Sequence, residues 1–180
     1  MQPTTVMSNL GPAPMPESGK HTRTFPNGSV YTGDFKNRQR HGIGRQQWPD
    51  GSVYDGQWQA DHIQGDGKLT HGNGDEYTGS FVKNCAQGRG KYVRYECGEY
   101  VGEWVADRQN GKGIEVSPDG DRYEGVFKAG KKEGNGFYEW SNGCKYEGNW
   151  SNNRINGEVV CFKPRENSLG QMAGCIRVNS

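Results

Sequence analysis

The side chains able to act as nucleophiles, general bases or metal ligands are few and scattered. The five cysteines, Cys85, Cys97, Cys144, Cys161 and Cys175, contain no CxxC pair. No zinc-ligand pair or redox dithiol is therefore spelled out, and an odd count does not complete a disulfide framework. Reduced thiols in a cytosolic protein are the simplest expectation. His21, His41, His62 and His71 stand in no motif order with a cysteine or serine. His41 and His62 can approach across neighbouring loops, but two ligands do not hold zinc. Gly111-Lys112-Gly113 resembles a phosphate cradle, yet neither the GxGxxG nor the GxxxxGK[ST] context surrounds it. The pair Asp75-Glu76 falls at a turn and reads as solvation. No catalytic, metal or cofactor-binding residues are expected, and no cofactor.

Binding chemistry is better represented than reaction chemistry. Two basic clusters, Lys36 with Arg38 and Arg40, and Lys128 with Lys131 and Lys132, could meet phosphoinositide head groups or an acidic partner surface. Asp61 and Asp107 occupy the equivalent loops elsewhere, so the basic residues form no continuous stripe. A formal net charge of +1 argues against general nucleic-acid binding. No apolar run is long enough for a membrane-spanning helix. The first 30 residues lack the basic-then-apolar pattern of a secretory signal.

The elements that carry these residues repeat. Tyr31, Tyr54, Tyr77, Tyr100, Tyr123 and Tyr146 recur every 23 residues. Two residues after each stands Gly33, Gly56, Gly79, Gly102, Gly125 or Gly148, and two further on Phe35, Trp58, Phe81, Trp104, Phe127 or Trp150. A glycine follows at 42, 65, 88, 111, 134 and 157, with a second two residues later in all but the last unit. Dipeptides such as Asn27-Gly28, Asp50-Gly51 and Asn142-Gly143 precede the next tyrosine. These columns absorb 22 of the 29 glycines, so the glycine richness is positional and does not signal low-complexity disorder.

Tyr-x-Gly-x-aromatic has period two, which puts its three marked residues on one strand face. Each unit is expected to be a β-hairpin. Asn-Gly and Asp-Gly are read as tight type I′ turns, and the segments Lys36 to His41 and Val105 to Asn110 as looser turns of about six residues. Glycine within a strand costs roughly 0.5–1 kcal/mol relative to alanine and so needs a reason. A floor without Cβ atoms on which aromatic rings lie supplies one, and Gly42, Gly44, Gln46 and Trp48 are assigned to a single face for that purpose. The expected fold is all-β, a single-layer twisted antiparallel sheet of consecutive hairpins.

The Tyr31-Thr32-Gly33-Asp34-Phe35 and His41-Gly42-Ile43-Gly44 segments, repeated six times in register, resemble the MORN repeat family. The resemblance covers about residues 24–163. It implies a hairpin rod acting as a non-catalytic interaction scaffold in cytoskeletal, axonemal or membrane-contact assemblies, similar to small axonemal members such as radial-spoke head components.

Departures from the pattern carry their own expectations. Cys97 stands where a turn glycine belongs, so that turn is expected to be shifted or strained. Ile114 and Val116 sit on the opposite parity from Leu69, which predicts a bulge or change of face. Val159 ends the repeats as a cap. Residues 1–23 read as a proline-rich disordered leader, 24–163 as the array and 164–180 as a non-repeat tail that is mobile or adds an edge strand. The tyrosine and tryptophan columns are expected chiefly as core. Any part left open would hold a partner segment, anchored by Trp48, Trp58, Trp104, Trp140, Trp150 and Tyr92. The function expected is a protein-binding adaptor on a cytoskeleton, most plausibly the axoneme of a cilium or flagellum. The alternative is a phosphoinositide-binding link between membrane and cytoskeleton. Open sheet edges also admit a homodimer.

Overall fold

The computed structural model describes residues 14–157. All its regular structure is β, in one open antiparallel sheet in which every strand pairs only with its neighbours in sequence. The strands are β1 (Ser18–Thr24), β2 (Val30–Lys36), β3 (Gln39–Gln47), β4 (Val53–Gln59), β5 (His62–Thr70), β6 (Glu76–Val82), β7 (Cys85–Arg94), β8 (Gly98–Val105), β9 (Arg108–Val116), β10 (Arg122–Lys128), β11 (Lys131–Glu139), β12 (Lys145–Ser151) and β13 (Arg154–Asn156). Thirteen strands at about 4.8 Å spacing make a sheet roughly 58 Å across. β1 lies within the segment expected to be leader. Its polar sequence has no periodic signature, and it is ordered because the Asn27-Gly28 turn folds it onto β2.

One row of glycines crosses the sheet at right angles to the strands. Gly33 pairs with Gly44, Gly44 with Gly56, and so on without interruption to Gly148 on β12. The six tyrosine rings lie over this row. A Cβ on Gly33 or Gly44 would fall 2.5 or 2.2 Å from Tyr31 Oη, so the ring needs both positions bare.

Rings then zip the repeats together. Tyr54 meets Trp58 of its own repeat at 5.4 Å between centroids and Phe81 of the next at 5.4 Å. Tyr77 does the same with Phe81 at 5.0 Å and Trp104 at 5.1 Å. The edge-to-face series runs from Phe35 to Tyr146, and such geometry favours aromatic pairs beyond the area they bury. Each repeat thus supplies half of its neighbour's core, and no single repeat closes one by itself.

The glycines divide into two kinds. In the first five within-repeat hairpins the register slips beside the glycine row: Gly33 pairs with Gly44 but Asp34 with His41, leaving Gly42 and Ile43 bulged. Gly42, Gly65, Gly88, Gly111 and Gly134 hold φ between 62 and 79° at these bulges. The expectation that Gly42 shares the ring floor is therefore corrected. Gly44 is floor, whereas Gly42 is bulge, and its Cβ would meet the Asp34 side chain rather than a ring. The bulge opens the ladder, and the tyrosine hydroxyl fills the gap by donating to the carbonyl three residues on. Tyr54 reaches Gln57 O at 3.0 Å, Tyr77 Ser80 O at 3.1 Å and Tyr100 Glu103 O at 3.0 Å.

The turns exchange the characters read from sequence. The supposedly loose ends are two-residue turns with both residues left-handed, such as Ala60 (φ 48°) with Asp61 (φ 65°) and Ala106 (φ 47°) with Asp107 (φ 63°). That is the type I′ form, whose twist matches the strands. The Asn-Gly and Asp-Gly ends are three-residue loops in which only glycine is left-handed. Trp48 N–H donates to Ser52 O at 2.9 Å, Gly51 N–H to Trp48 O at 3.0 Å, and Asp50 Oδ1 accepts from Ser52 N–H at 2.9 Å. At the Cys97 turn the left-handed place passes to Glu96, with φ 56°, and Gly98 takes φ 101°. That is the strain expected there, and the register of β7 with β8 is kept.

Candidate protein-interaction site

The zipper rings occupy one face and leave the other, the ring-free face, to short side chains and charges, Phe137 opposite Glu124 and Glu147 being the exception. On this ring-free face cross-strand ion pairs line up: Arg45 with Asp55 at 2.7 Å, Lys68 with Glu76 at 2.8 Å, Lys91 with Glu99 at 2.6 Å, and Lys145 with Glu139 at 3.1 Å. These exposed pairs each contribute about 0–1 kcal/mol and chiefly keep the face wet.

The series is interrupted at β8 to β10. The columns that hold Arg45 opposite Asp55 hold Ile114 opposite Val101 here. Val126 follows on β10 beside Lys112. Val101 is 44 % and Val126 38 % exposed. With the bare backbone of Gly90, Gly102, Gly113 and Gly125 beneath, these side chains wall an open groove of about 780 Å³. Arg89, Lys112, Glu103 and Glu124 rim it. The β8–β9 and β10–β11 pairings carry the same bulge as the earlier repeats and β9–β10 carries none, so Ile114 and Val116 cause no change of face. They stand on the ring-free side because their parity puts them there.

The residues expected as partner anchors fall into two sets. Trp58, Trp104 and Trp150 are buried in the ring zipper, and Trp58 Nε1 and Trp104 Nε1 donate to Gly44 O and Gly90 O at 3.1 and 3.2 Å. They are core and offer no open trough. Trp48, Tyr92 and Trp140 are half-buried and pack against the margin of that core. Tyr92 also donates to Asp75 Oδ2 at 2.7 Å, and Tyr138 repeats the contact with Asp121 at 2.8 Å. Those hydrogen bonds hold the Asp75 carboxyl below its ordinary range, and at Asp121 the Ser141 N–H adds the larger share. Burial pushes the hydroxyls of Tyr54, Tyr77, Tyr100 and Tyr123 up to about 12.

The basic clusters are largely engaged. Arg38 pairs with Glu17 at 3.2 Å. Arg40 pairs with Asp61 at 3.1 Å and stacks 4.2 Å over Trp58. Lys132 pairs with Glu115 at 2.5 Å and lies over Tyr123, and Lys131 Nζ donates to Asn152 at 3.0 Å. Among the described residues only Lys36 and Lys128 of these six carry no such partner. Arg40 and Lys132, read from sequence as loop residues, lie instead on β3 and β11 with their cations over ring-face aromatics. Among the described residues no group of three or more His, Cys, Asp or Glu side chains could hold a metal ion. Cys161, Cys175, Val159 and the expected tail lie outside the described residues.

The MORN repeat model matches residues 31–53, 54–76, 77–95, 100–122, 123–145 and 146–158. The chain belongs to the MORN repeat family. The six matched units coincide with the six tyrosine-glycine-aromatic columns, and the gap at 96–99 falls on the Cys97 turn. No curated protein matches the chain. Among solved structures it is similar to the TCP domain of SAS-4 (dCPAP) from Drosophila melanogaster, determined in complex with a proline-rich motif of Ana2 (dSTIL). Identity is 12 %, the match covers 86 % of this chain and 91 % of that one, and the TM-score is 0.50. At that identity the likeness is one of fold.

Proposed function

We propose that this MORN chain is a non-catalytic scaffold that holds an extended protein segment on its ring-free face. The observation that carries the reading is the groove over Gly90, Gly102, Gly113 and Gly125, where Val101, Ile114 and Val126 stand in columns that are mostly polar or charged in the other repeats. A glycine floor admits a backbone closely, and isolated apolar walls give it register. The Drosophila domain of similar fold was solved with a proline-rich motif, which supports an extended ligand here. The setting we propose is a cytoskeletal assembly, the axoneme of a cilium or flagellum, in keeping with a chain whose matched units run from residue 31 to 158. The lipid-linking alternative loses support from the internal pairing of Arg38, Arg40 and Lys132.

The test restores the pattern of the other repeats with Val101→Thr and Ile114→Lys. Tagged wild-type chain is expected to stay on detergent-insoluble filaments and to crosslink to a partner through the groove. The double variant, with unchanged melting temperature, is expected to be released. Equal retention of both would remove the groove from the reading, and loss of wild type into the detergent phase would favour the lipid link.

A further inference from the structure

β1 is the first edge of the described sheet, and no described strand pairs with its outer side. Phe25 N–H donates to Ser29 O at 2.8 Å across the hairpin. Alternation along an antiparallel ladder then turns Arg23 and His21 toward β2 and turns the N–H and C=O groups of Thr24, Thr22 and Lys20 outward. Six of its seven residues are exposed. Seven residues is a full-length template, whereas β13 at the other described end has three.

The chemistry at this edge is basic. Lys20 lies on β1 and Lys36 stands opposite Ser18 on β2, whereas the partly buried Arg23 is turned inward, its Nη1 donating to Pro14 O at 3.4 Å. Asp34 faces Lys20 across the ladder, but no ion pair joins them. Asp34 Oδ2 instead accepts from Ile43 N–H at 3.2 Å, which leaves the Lys20 ammonium uncommitted within the described fold. Antiparallel pairing of two β1 edges about Lys20 would set its ammonium against that of the other copy, so a second copy is disfavoured. Lysine on an edge blocks indiscriminate pairing. It also selects for opposite charge.

We propose that the free edge of β1 is a second docking site, which takes an acidic extended segment of a partner protein as an added strand. Main-chain hydrogen bonds from Lys20, Thr22 and Thr24 would supply affinity, and the basic side chains would select the sequence. The site is independent of the groove on β8 to β10, so one scaffold would hold two partners or two parts of one.

The experiment uses the full chain and a ten-residue peptide alternating glutamate with valine or threonine, beside a lysine-substituted control. Binding of the acidic peptide is expected to protect the amides of Lys20, Thr22 and Thr24 from exchange and to weaken as salt rises. Thr22→Pro removes an outward N–H and the exposed Thr22 Oγ1–Thr32 Oγ1 hydrogen bond at 3.0 Å but leaves the β1–β2 main-chain ladder intact, and it is expected to lower the melting temperature by no more than a few degrees while weakening binding at least tenfold. Lys20→Glu is expected to weaken it similarly, and Val101→Thr with Ile114→Lys to leave it unchanged. The proposal fails if the acidic peptide does not bind at low salt, if the lysine control binds equally, or if only the groove variant loses binding. Protection of the same amides by dimerisation of the chain alone would also overturn it.

Discussion

Asp107 Oδ1 accepts the backbone N–H of Ala86 at 2.7 Å, while the Asp107 N–H donates to the Ala86 carbonyl at 3.1 Å. This two-way clamp ties a type I′ turn to the strand start one repeat earlier. Asp61 holds Arg40, Asn84 holds Ile63 and Asn153 holds Lys132 in the same way, at 2.9, 2.8 and 2.7 Å for the side-chain bonds. Two further joints keep only the backbone half, Arg38 to Glu17 O at 3.0 Å and Gly130 to Gln109 O at 2.8 Å.

Gly130→Asn is therefore expected to stabilise the chain. Gly130 holds φ 83°, near the 71° of Asn84, and nothing lies within 4 Å of its Cβ position. The missing hydrogen bond and the reduced freedom of the unfolded chain are together worth about 1 kcal/mol. Asp107→Ala is expected to cost about 1–2 kcal/mol by orphaning the Ala86 N–H. Thermal melts of the two variants check both signs.

Alanine at two neighbouring glycines separates floor from bulge. A Cβ at Gly90 would sit 2.4 Å from Tyr77 Oη, so Gly90→Ala must displace a buried ring and is expected to cost about 1–3 kcal/mol or more. A Cβ at Gly88 meets only Ser80 Cβ at 3.7 Å, and its cost is the left-handed backbone, about 1–2 kcal/mol. Urea denaturation is expected to rank Gly90→Ala as the weaker protein. The reverse ranking would reject the ring floor.

Tyr77→Phe removes a hydroxyl and strands the Ser80 carbonyl at the bulge. The expected loss is about 1–2 kcal/mol by chemical denaturation, although the ring and its zipper contacts stay. Tyr77→Ala is expected to cost about 3–5 kcal/mol. Tyr146→Ala, nearer the end of the array, is expected to cost less because terminal repeats fray. Equal losses at the two alanine variants would argue against a linear array.

Alkali is expected to unfold the chain. The buried tyrosines ionise near 10 when unfolded and at about 12 in the fold, so the folded state binds more protons in that window. Stability is then level below pH 10, falls as pH rises from 10 to 12, and levels off above. Tyrosinate absorbance and circular dichroism are expected to change together in one cooperative step. Smooth tyrosinate formation near pH 10 with the sheet intact would show that the rings are open to solvent.

The sequence by itself determined the strand order, the family and the ring core. A period of 23 with tyrosine, glycine and aromatic at alternate positions admits one arrangement, because each hairpin can bury its rings only against the next. The strain at Cys97 was likewise legible, since a left-handed turn without glycine must borrow one.

The tertiary structure decided what depends on register between strands. Whether Gly44 or Gly42 underlies the ring turns on a bulge that sequence spacing does not mark, because both columns are invariably glycine in the matched units with described backbone. The turn types reversed because Ala-Asp and Lys-Asn adopt left-handed φ only when the flanking strands impose their twist, while Asn-Gly also fits a three-residue loop. The polar β1 has no burial pattern to read and exists because β2 offers an edge. Trp58, Trp104 and Trp150 read as surface anchors only while it is unknown which face the next repeat covers. The groove became visible once pairing placed Val101, Ile114 and Val126, distant in sequence, side by side over bare glycine.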